Sequence, residues 1–319
     1  MPTRVLALVC LLSLIAACGS SGADGTSAGS TTSGSAAPDP TSTSPTQPTS
    51  SSNPITTSAE GTVAPSTTVA LRSRAVIAYG DGPSQFGELW LPDADGPSPV
   101  VVLVHGGFWR DTFGLDLMDD LAADLVATGR AVWNIEYRRV GEPGGGWPGT
   151  LDDVAAAVDH IAVLAGDHPL DPGRLAIVGH SAGGHLALWA AGRASLAADA
   201  PGGGPRVVPA IAVGLAPVVD LVGAAEDGVG LGAVDALLGG APDELPDHYD
   251  VATPALTGDV PVVVVRGDAD IVVPDPYTLP PGALPAVVEV VDVAGADHFD
   301  LIDPGHEAWA AVVERLAAG

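Results

Sequence analysis

Ser181 stands in Gly179-His180-Ser181-Ala182-Gly183, the G-x-S-x-G spacing of a nucleophile elbow. An apolar run at 174–178 precedes it and an alanine-rich run at 182–191 follows, so the serine falls on a strand-to-helix turn. A turn that tight excludes large flanking side chains and lifts the hydroxyl above the end of a sheet. A hydroxyl is a weak nucleophile until a base takes its proton and a third group fixes that base. The chain holds eight histidines, and two carboxylates, Asp268 and Asp270, follow the apolar run at 260–265. The remaining requirement is a set of donors for an oxyanion. His105-Gly106-Gly107-Phe108-Trp109 directly follows the apolar run at 100–104. Its glycines leave backbone N–H groups of Gly106, Gly107 and Phe108 free to turn toward a developing negative charge, and the helix start at Ala182 supplies another. His105 reads as a loop-holding residue. His306-Glu307 and the many aspartates lack a second histidine at ligand spacing, so neither a metal nor a cofactor is expected.

The elements that must position these residues alternate along the chain. Runs at 73–79 and 87–91, joined by Asp81-Gly82-Pro83, read as two antiparallel strands. The β-branched run at 100–104 reads as a strand buried on both faces. Further strands are expected at 131–137, 174–178, 210–215, 260–265 and 286–291. Helices are expected at 118–128, at 151–165 capped by Thr150 with Asp152 and Asp153 in its first turn, at 182–191 and at 306–316. Strands alternating with helices imply a mostly parallel twisted sheet covered on both faces, with sites at the carboxyl ends of strands. About 45 residues separate the strand ending near Leu215 from the one starting at Val260. They are rich in Gly, Ala and Asp, with Leu237-Leu238 the only paired large apolar residues, which predicts a short lid of one or two helices.

The HGGFW loop at 105–109, the GHSAGG elbow at 179–184 and Arg266-Gly267-Asp268-Ala269-Asp270-Ile271-Val272-Val273-Pro274 together resemble the esterase/lipase group of the α/β-hydrolase superfamily. Tyr137-Arg138 and Trp147-Pro148 ahead of Asp152-Asp153 fit the same group. The resemblance runs through residues 73–317 in order. A phenylalanine at 108, where hormone-sensitive-lipase relatives carry a third glycine, makes the chain more similar to feruloyl-esterase-like proteins and kynurenine formamidases. The resemblance implies an α/β-hydrolase fold and a Ser181–His298–Asp270 triad in the chain order of that fold. The acid is expected in a G-x-x-D-x-x-V-P frame, which selects Asp270 and leaves Asp268 as a loop cap. The base is expected in the loop after the last strand, Gly295-Ala296-Asp297-His298-Phe299. His180 and His185 are expected to be turned aside and buried, and His306 to begin the terminal helix. The implied reaction is hydrolysis of a carboxylic ester with a short acyl or aryl group. The rivals are an arylformamidase using the same residues, a peptidase, and an inactive envelope-binding module. Trp109 and Trp147, with Phe108, are candidates to line a compact substrate pocket.

The ends of the chain differ in kind. With 39 acidic residues, 12 basic residues (all arginine) and a net charge of −27, a nucleic acid or an anionic membrane surface is an unsuitable partner; a small ester or amide is the expected one. Cys10 and Cys18 are the only cysteines, so residues 71–319, the expected catalytic domain, have no disulfide and no thiol nucleophile. Arg4 precedes a run of 13 residues, apolar except for Ser13, of signal-peptide rather than membrane-spanning length. Its end, Leu14-Ile15-Ala16-Ala17-Cys18, resembles a bacterial lipoprotein signal in which Cys18 is acylated. Residues 1–18 are therefore expected to be a leader. Residues 19–70, almost entirely Ser, Thr, Gly, Ala and Pro, are expected to be a disordered tether open to O-glycosylation. The expected location is the outward face of a bacterial membrane, held only by that anchor, with secretion as the alternative.

Overall fold

The computed structural model describes residues 68–318, apart from Thr257. The leader, Cys18 and nearly all of the expected tether lie outside the described residues.

Eight strands form one sheet: β1 (Leu71–Ala78), β2 (Phe86–Pro92), β3 (Ser98–Val104), β4 (Ala131–Ile135), β5 (Leu170–His180), β6 (Ile211–Leu215), β7 (Val262–Gly267) and β8 (Val288–Val293). Their order across the sheet is β1-β2-β4-β3-β5-β6-β7-β8. Only β1–β2 and β2–β4 pair antiparallel; every other neighbour is parallel. This is the α/β-hydrolase arrangement the sequence implied. All eight expected strands form, with ends displaced by a few residues.

The β-branched run explains the position of β3. Val100 to Val104 are all at most 1 % exposed. Such residues suit a strand flanked on both sides and covered on both faces. Val101 and Leu103 join a core cluster with Leu121 and Leu125 of helix α1 (Asp119–Ala127) and Trp309 and Val312 of the terminal helix α8 (Glu307–Ala318). The indole of Trp309 donates to Asp124 at 2.8 Å and so ties α8 to α1. Trp133 of β4 donates its indole N–H to Ala157 of helix α2 (Gly149–Asp159) at 3.0 Å.

Two expectations for this region are corrected. The single helix at 151–165 is α2 followed by α3 (Ile161–Asp167), with His160 at their junction. Thr150 lies inside α2 rather than capping it. Its hydroxyl donates to the Arg138 carbonyl at 2.6 Å and accepts from Gly146 N–H at 3.0 Å. Asp153 serves a partner stronger than the helix dipole: it is 1 % exposed and receives Arg138 Nη2 at 2.6 Å, Arg138 Nε at 2.8 Å and Gln85 Nε2 at 2.6 Å.

Beyond the elbow comes α4 (Ala182–Gly192), whose residues from Ala182 to Ala191 are all buried. Between β6 and β7 the lid holds three short helices, α5 (Leu221–Glu226), α6 (Ala233–Leu238) and α7 (Pro246–Ala252), one more than expected. Its own core explains the third. Leu237 and Leu238 are fully buried, and Tyr249 of α7 donates to Asp235 of α6 at 3.0 Å.

Candidate active site

The site forms where β3, β5, β7 and β8 end. Ser181 directly follows β5, with φ 57° and ψ −122°, a conformation that side-chain-bearing residues avoid. Its surroundings hold it there: Ser181 N–H donates to Leu215 of β6 at 2.8 Å, and α4 begins at the next residue. The elbow needs its glycines for a steric reason. A Cβ on Gly183 would lie 2.2 Å from the Val104 carbonyl and 2.3 Å from that of His105. Those contacts let α4 start directly against the oxyanion loop.

His298 lies in the loop after β8. Its Nδ1–H donates to Asp270 Oδ2 at 2.6 Å. The other oxygen of Asp270 accepts the N–H groups of Val272 and Val273 at 2.8 and 3.0 Å. Burial pushes the Asp270 carboxyl up, but its bond and charge interaction with His298, aided by those two N–H groups, hold it below the usual carboxylate range. Asp268 instead accepts Gly295 N–H at 2.6 Å and ties the base loop from below. Asp270 and His298 are thus brought together and Asp268 is set apart from the imidazole. Among the described residues no hydrogen bond joins the Ser181 hydroxyl to His298; such bonds are commonly long until a substrate closes them.

The oxyanion loop carries consecutive left-handed residues: Gly107 at φ 111°, Phe108 at 53° and Trp109 at 55°. Two of them bear side chains, at a cost of roughly 1–2 kcal/mol each, so contacts elsewhere must enforce the shape. Val140 N–H donates to the Trp109 carbonyl at 2.8 Å and Arg110 N–H to Gly107 at 3.0 Å. Below the loop, His105 places Nδ1 2.7 Å from the Gly106 carbonyl and Nε2 2.8 Å from Glu136, and it stacks on Tyr137 at 4.4 Å. The Tyr137 hydroxyl donates to the His105 carbonyl at 2.8 Å. Desolvation pushes Glu136 up, yet His105 first and Arg139 after it bring the carboxyl below its ordinary value. Among the described residues, the N–H groups of Gly107 and Phe108 donate to no protein acceptor. The N–H of Ala182, in the first turn of α4, has no intrahelical acceptor by construction. These three donors are available to a ligand.

The lid grips this loop. Gly230 presses its α-carbon onto the Phe108 ring, where a Cβ would lie 2.4 Å from the ring carbons. Arg110 donates to the carbonyls of Gly230 and Leu231 at 2.7 and 3.2 Å. Trp147 donates its backbone N–H to Leu237 at 2.7 Å and stacks on His248 of α7 at 4.2 Å. Trp147 is half-buried at the lid boundary. Trp109 is not: it is 1 % exposed and edge-on to His185, which corrects its assignment to a substrate pocket and puts it in the packing beneath the loop. A cleft of about 550 Å³ opens within the lid, lined by Glu226, Asp235, Tyr249 and Asp250 among others, and it contains none of Ser181, Asp270 and His298.

Sequence reading missed Glu136, Arg110 and the part played by His180. A carboxylate directly after the buried strand β4 was a usable signal for Glu136. Arg110 and His180 act through contacts with residues more than 100 positions away, which no local pattern reveals.

Similarity to known proteins agrees with this architecture. Carboxylesterase NlhH of Mycobacterium tuberculosis is 38 % identical over 120 residues, a match covering 37 % of this chain and 35 % of that protein. The chain thus spans about a third of the length of the curated relatives it matches. Among solved structures, esterase B from Lactobacillus rhamnosis superposes with a TM-score of 0.62 at 21 % identity, covering 78 % of this chain and 84 % of that one. A truncated carbohydrate esterase from gut microbiota gives 0.63 at 20 % identity, covering 80 % and 98 %. At those identities the likeness concerns the fold. The BD-FAE family model matches residues 88–278, more than half of the chain, taking in the oxyanion loop, Ser181 and Asp270 and ending before His298. On that match the chain belongs to the BD-FAE family, and its fold is that of the α/β-hydrolases.

Proposed function

We propose that this protein is a serine hydrolase of carboxylic esters carrying short acyl or aryl groups. The observation that carries the reading is the 2.6 Å bond from His298 Nδ1 to Asp270, whose side chain is 3 % exposed, together with a strained, buried Ser181 on the elbow. With Nδ1 committed to Asp270, Nε2 is the basic nitrogen. It takes the Ser181 proton as Oγ bonds the ester carbonyl carbon, and the charge on the former carbonyl oxygen is met by N–H groups of Gly107, Phe108 and Ala182. As the carbon–oxygen bond to the alcohol breaks, His298 returns the proton to the leaving group. Water, deprotonated by the same nitrogen, then releases the acid and restores Ser181.

The ester class is supported by the carboxylesterase and esterase names of the relatives. The short acyl or aryl preference rests on the lid: three short helices, clamped to the oxyanion loop through Phe108 and Arg110, leave little apolar length for a long chain. As a location we propose the outward face of a bacterial membrane, with Cys18 acylated and a small ester as partner. No helix among the described residues is long and apolar enough to cross a membrane.

The test is a panel of p-nitrophenyl esters of increasing chain length, aryl esters and N-formyl amides, with fluorophosphonate labelling. The expectation is Ser181-dependent turnover highest on short and aryl esters, with Ser181→Ala lowering it by on the order of 10⁴-fold while the fold persists. Formamides outrunning every ester would reassign the acyl group. Rates that keep rising beyond about eight carbons, or jump at the micelle threshold, would make the enzyme a lipase.

A further inference from the structure

The base loop is anchored almost wholly from one side. Asp268 holds Gly295, Asp270 holds the His298 ring, and Ala269 N–H donates to Ala296 at 3.1 Å, all from the segment after β7. Asp297 and Asp300 hold each other's backbone within the loop. None of these contacts sets where His298 lies relative to Ser181, because Ser181 sits between β5 and α4, and β6 and β7 separate β5 from β8 in the sheet. Among the described residues one hydrogen bond joins the elbow to the base loop: His180 Nε2 lies 2.9 Å from the His298 carbonyl. A carbonyl only accepts, so Nε2 carries the proton and donates. The His180 and His298 rings are 4.4 Å apart, and Phe299 closes the same cluster at 6.2 Å from His180. On its other side His180 reaches the oxyanion loop, where a Cβ on Gly106 would lie 2.8 Å from the His180 carbonyl and 3.1 Å from its Nδ1.

We infer that His180 is a positioning residue that fixes the distance between the nucleophile and the base by tying the carbonyl of His298 to the elbow. The inference rests on the proposed triad and deepens it. Two further observations fit. Burial, with the neighbouring His298 second, lowers the His180 pKa to about 3, so the ring stays neutral beside a base that must become cationic during turnover. The charged and titratable groups that face it are His298 and, behind that ring, Asp270. Among the described residues His180 Nδ1 has no hydrogen-bond partner, so the position tolerates a buried unsatisfied acceptor to keep the Nε2 bond. A side chain present only to fill the elbow would need no nitrogen.

The test compares His180→Gln, whose terminal amide nitrogen reaches the same carbonyl, with His180→Leu, which fills the space without a donor. Two readouts are taken on the full chain: steady-state kinetics on the best ester, and the far-downfield proton NMR signal of His298 Nδ1–H held by Asp270. His180→Leu is expected to lower kcat by about 10- to 100-fold with KM within about threefold, since a small misplacement of reacting groups is costly while substrate contacts remain. It should also broaden the downfield proton. His180→Gln should restore both to near the parent. Full kcat and a sharp signal in folded His180→Leu overturn the inference, as does His180→Gln failing as badly as Leu. If the parent shows no Ser181-dependent turnover, the proposed hydrolysis fails, and the NMR comparison still decides whether His180 places the base.

Discussion

A carboxylate oxygen 2.6 Å from an imidazole nitrogen, both nearly buried, has one arrangement and few substitutes. Asp270 fixes which nitrogen of His298 carries the proton, so Asp270→Asn should lower kcat by roughly 10³–10⁴-fold by presenting the wrong tautomer. Asp268→Asn keeps an amide oxygen that still accepts from Gly295 N–H and loses only the charge, with expected losses below about tenfold, since even a lost loop hydrogen bond is worth about 1 kcal/mol. Steady-state kinetics of the two variants rank the acids directly, and the opposite ranking would mean that Asp268 swings to the base during turnover. The turn that carries Ser181 was legible from a glycine-flanked serine between strand and helix, whereas Asp270 and His298 were selected by the family resemblance, and the structure puts the two 2.6 Å apart. His180 was not legible. Its type was plain, but its role depends on a carbonyl 118 residues away, and nothing in Gly-His-Ser-Ala-Gly distinguishes a tether from a spacer.

At the scale of elements, the strands were readable because burial on both faces requires continuous β-branched runs, and 100–104 and 262–265 are such runs. Helix ends were less so. Thr150 followed by two aspartates has the composition of a cap, yet Arg138 takes Asp153 and Gly146 takes Thr150 once the loop folds back. Tertiary partners outrank the local preference. The lid was underestimated for a related reason: its helices are six or seven residues long and stand on contacts with one another and with the oxyanion loop, not on propensity. Arg110 is the main polar part of that contact. Arg110→Ala is therefore expected to speed amide hydrogen exchange across residues 228–238 by roughly fivefold or more, in keeping with about 1 kcal/mol for a half-exposed pair of bonds. Unchanged exchange would show that the Phe108–Gly230 packing alone holds the lid.

For the whole molecule, two buried imidazoles shape the response to acid. Burial is the main cause that lowers His180 to about 3 and His185 to about 4, from an ordinary value of 6.5. Between those values and 6.5 the unfolded chain binds protons that the folded chain refuses. Stability is then complete above about pH 6.5 and falls as pH drops, by up to about 1.4 kcal/mol per pH unit for each histidine. Urea unfolding at high salt, which screens the relief of repulsion among the many carboxylates, should show this decline from pH 6.5 to 4.5; a flat profile would place a charged imidazole in the core. The N-terminal segment makes a separate prediction. Membrane partition should vanish in Cys18→Ala, because stable attachment takes two or more acyl chains and the remaining chain is strongly acidic. An unmodified mature N-terminus by mass spectrometry would exclude the anchor. The clamp between lid and oxyanion loop bears on how such an enzyme diversifies. A segment that touches the reactive centre only through its own side chains can be exchanged like a cartridge. Here Phe108, Arg110 and Trp147 belong to the scaffold but complete the lid's packing, so the functional module is discontinuous in sequence. Grafting residues 216–260 from a relative should yield a poorly active chimera unless those three positions travel with the graft, which ties any change of substrate to coordinated change at distant sites.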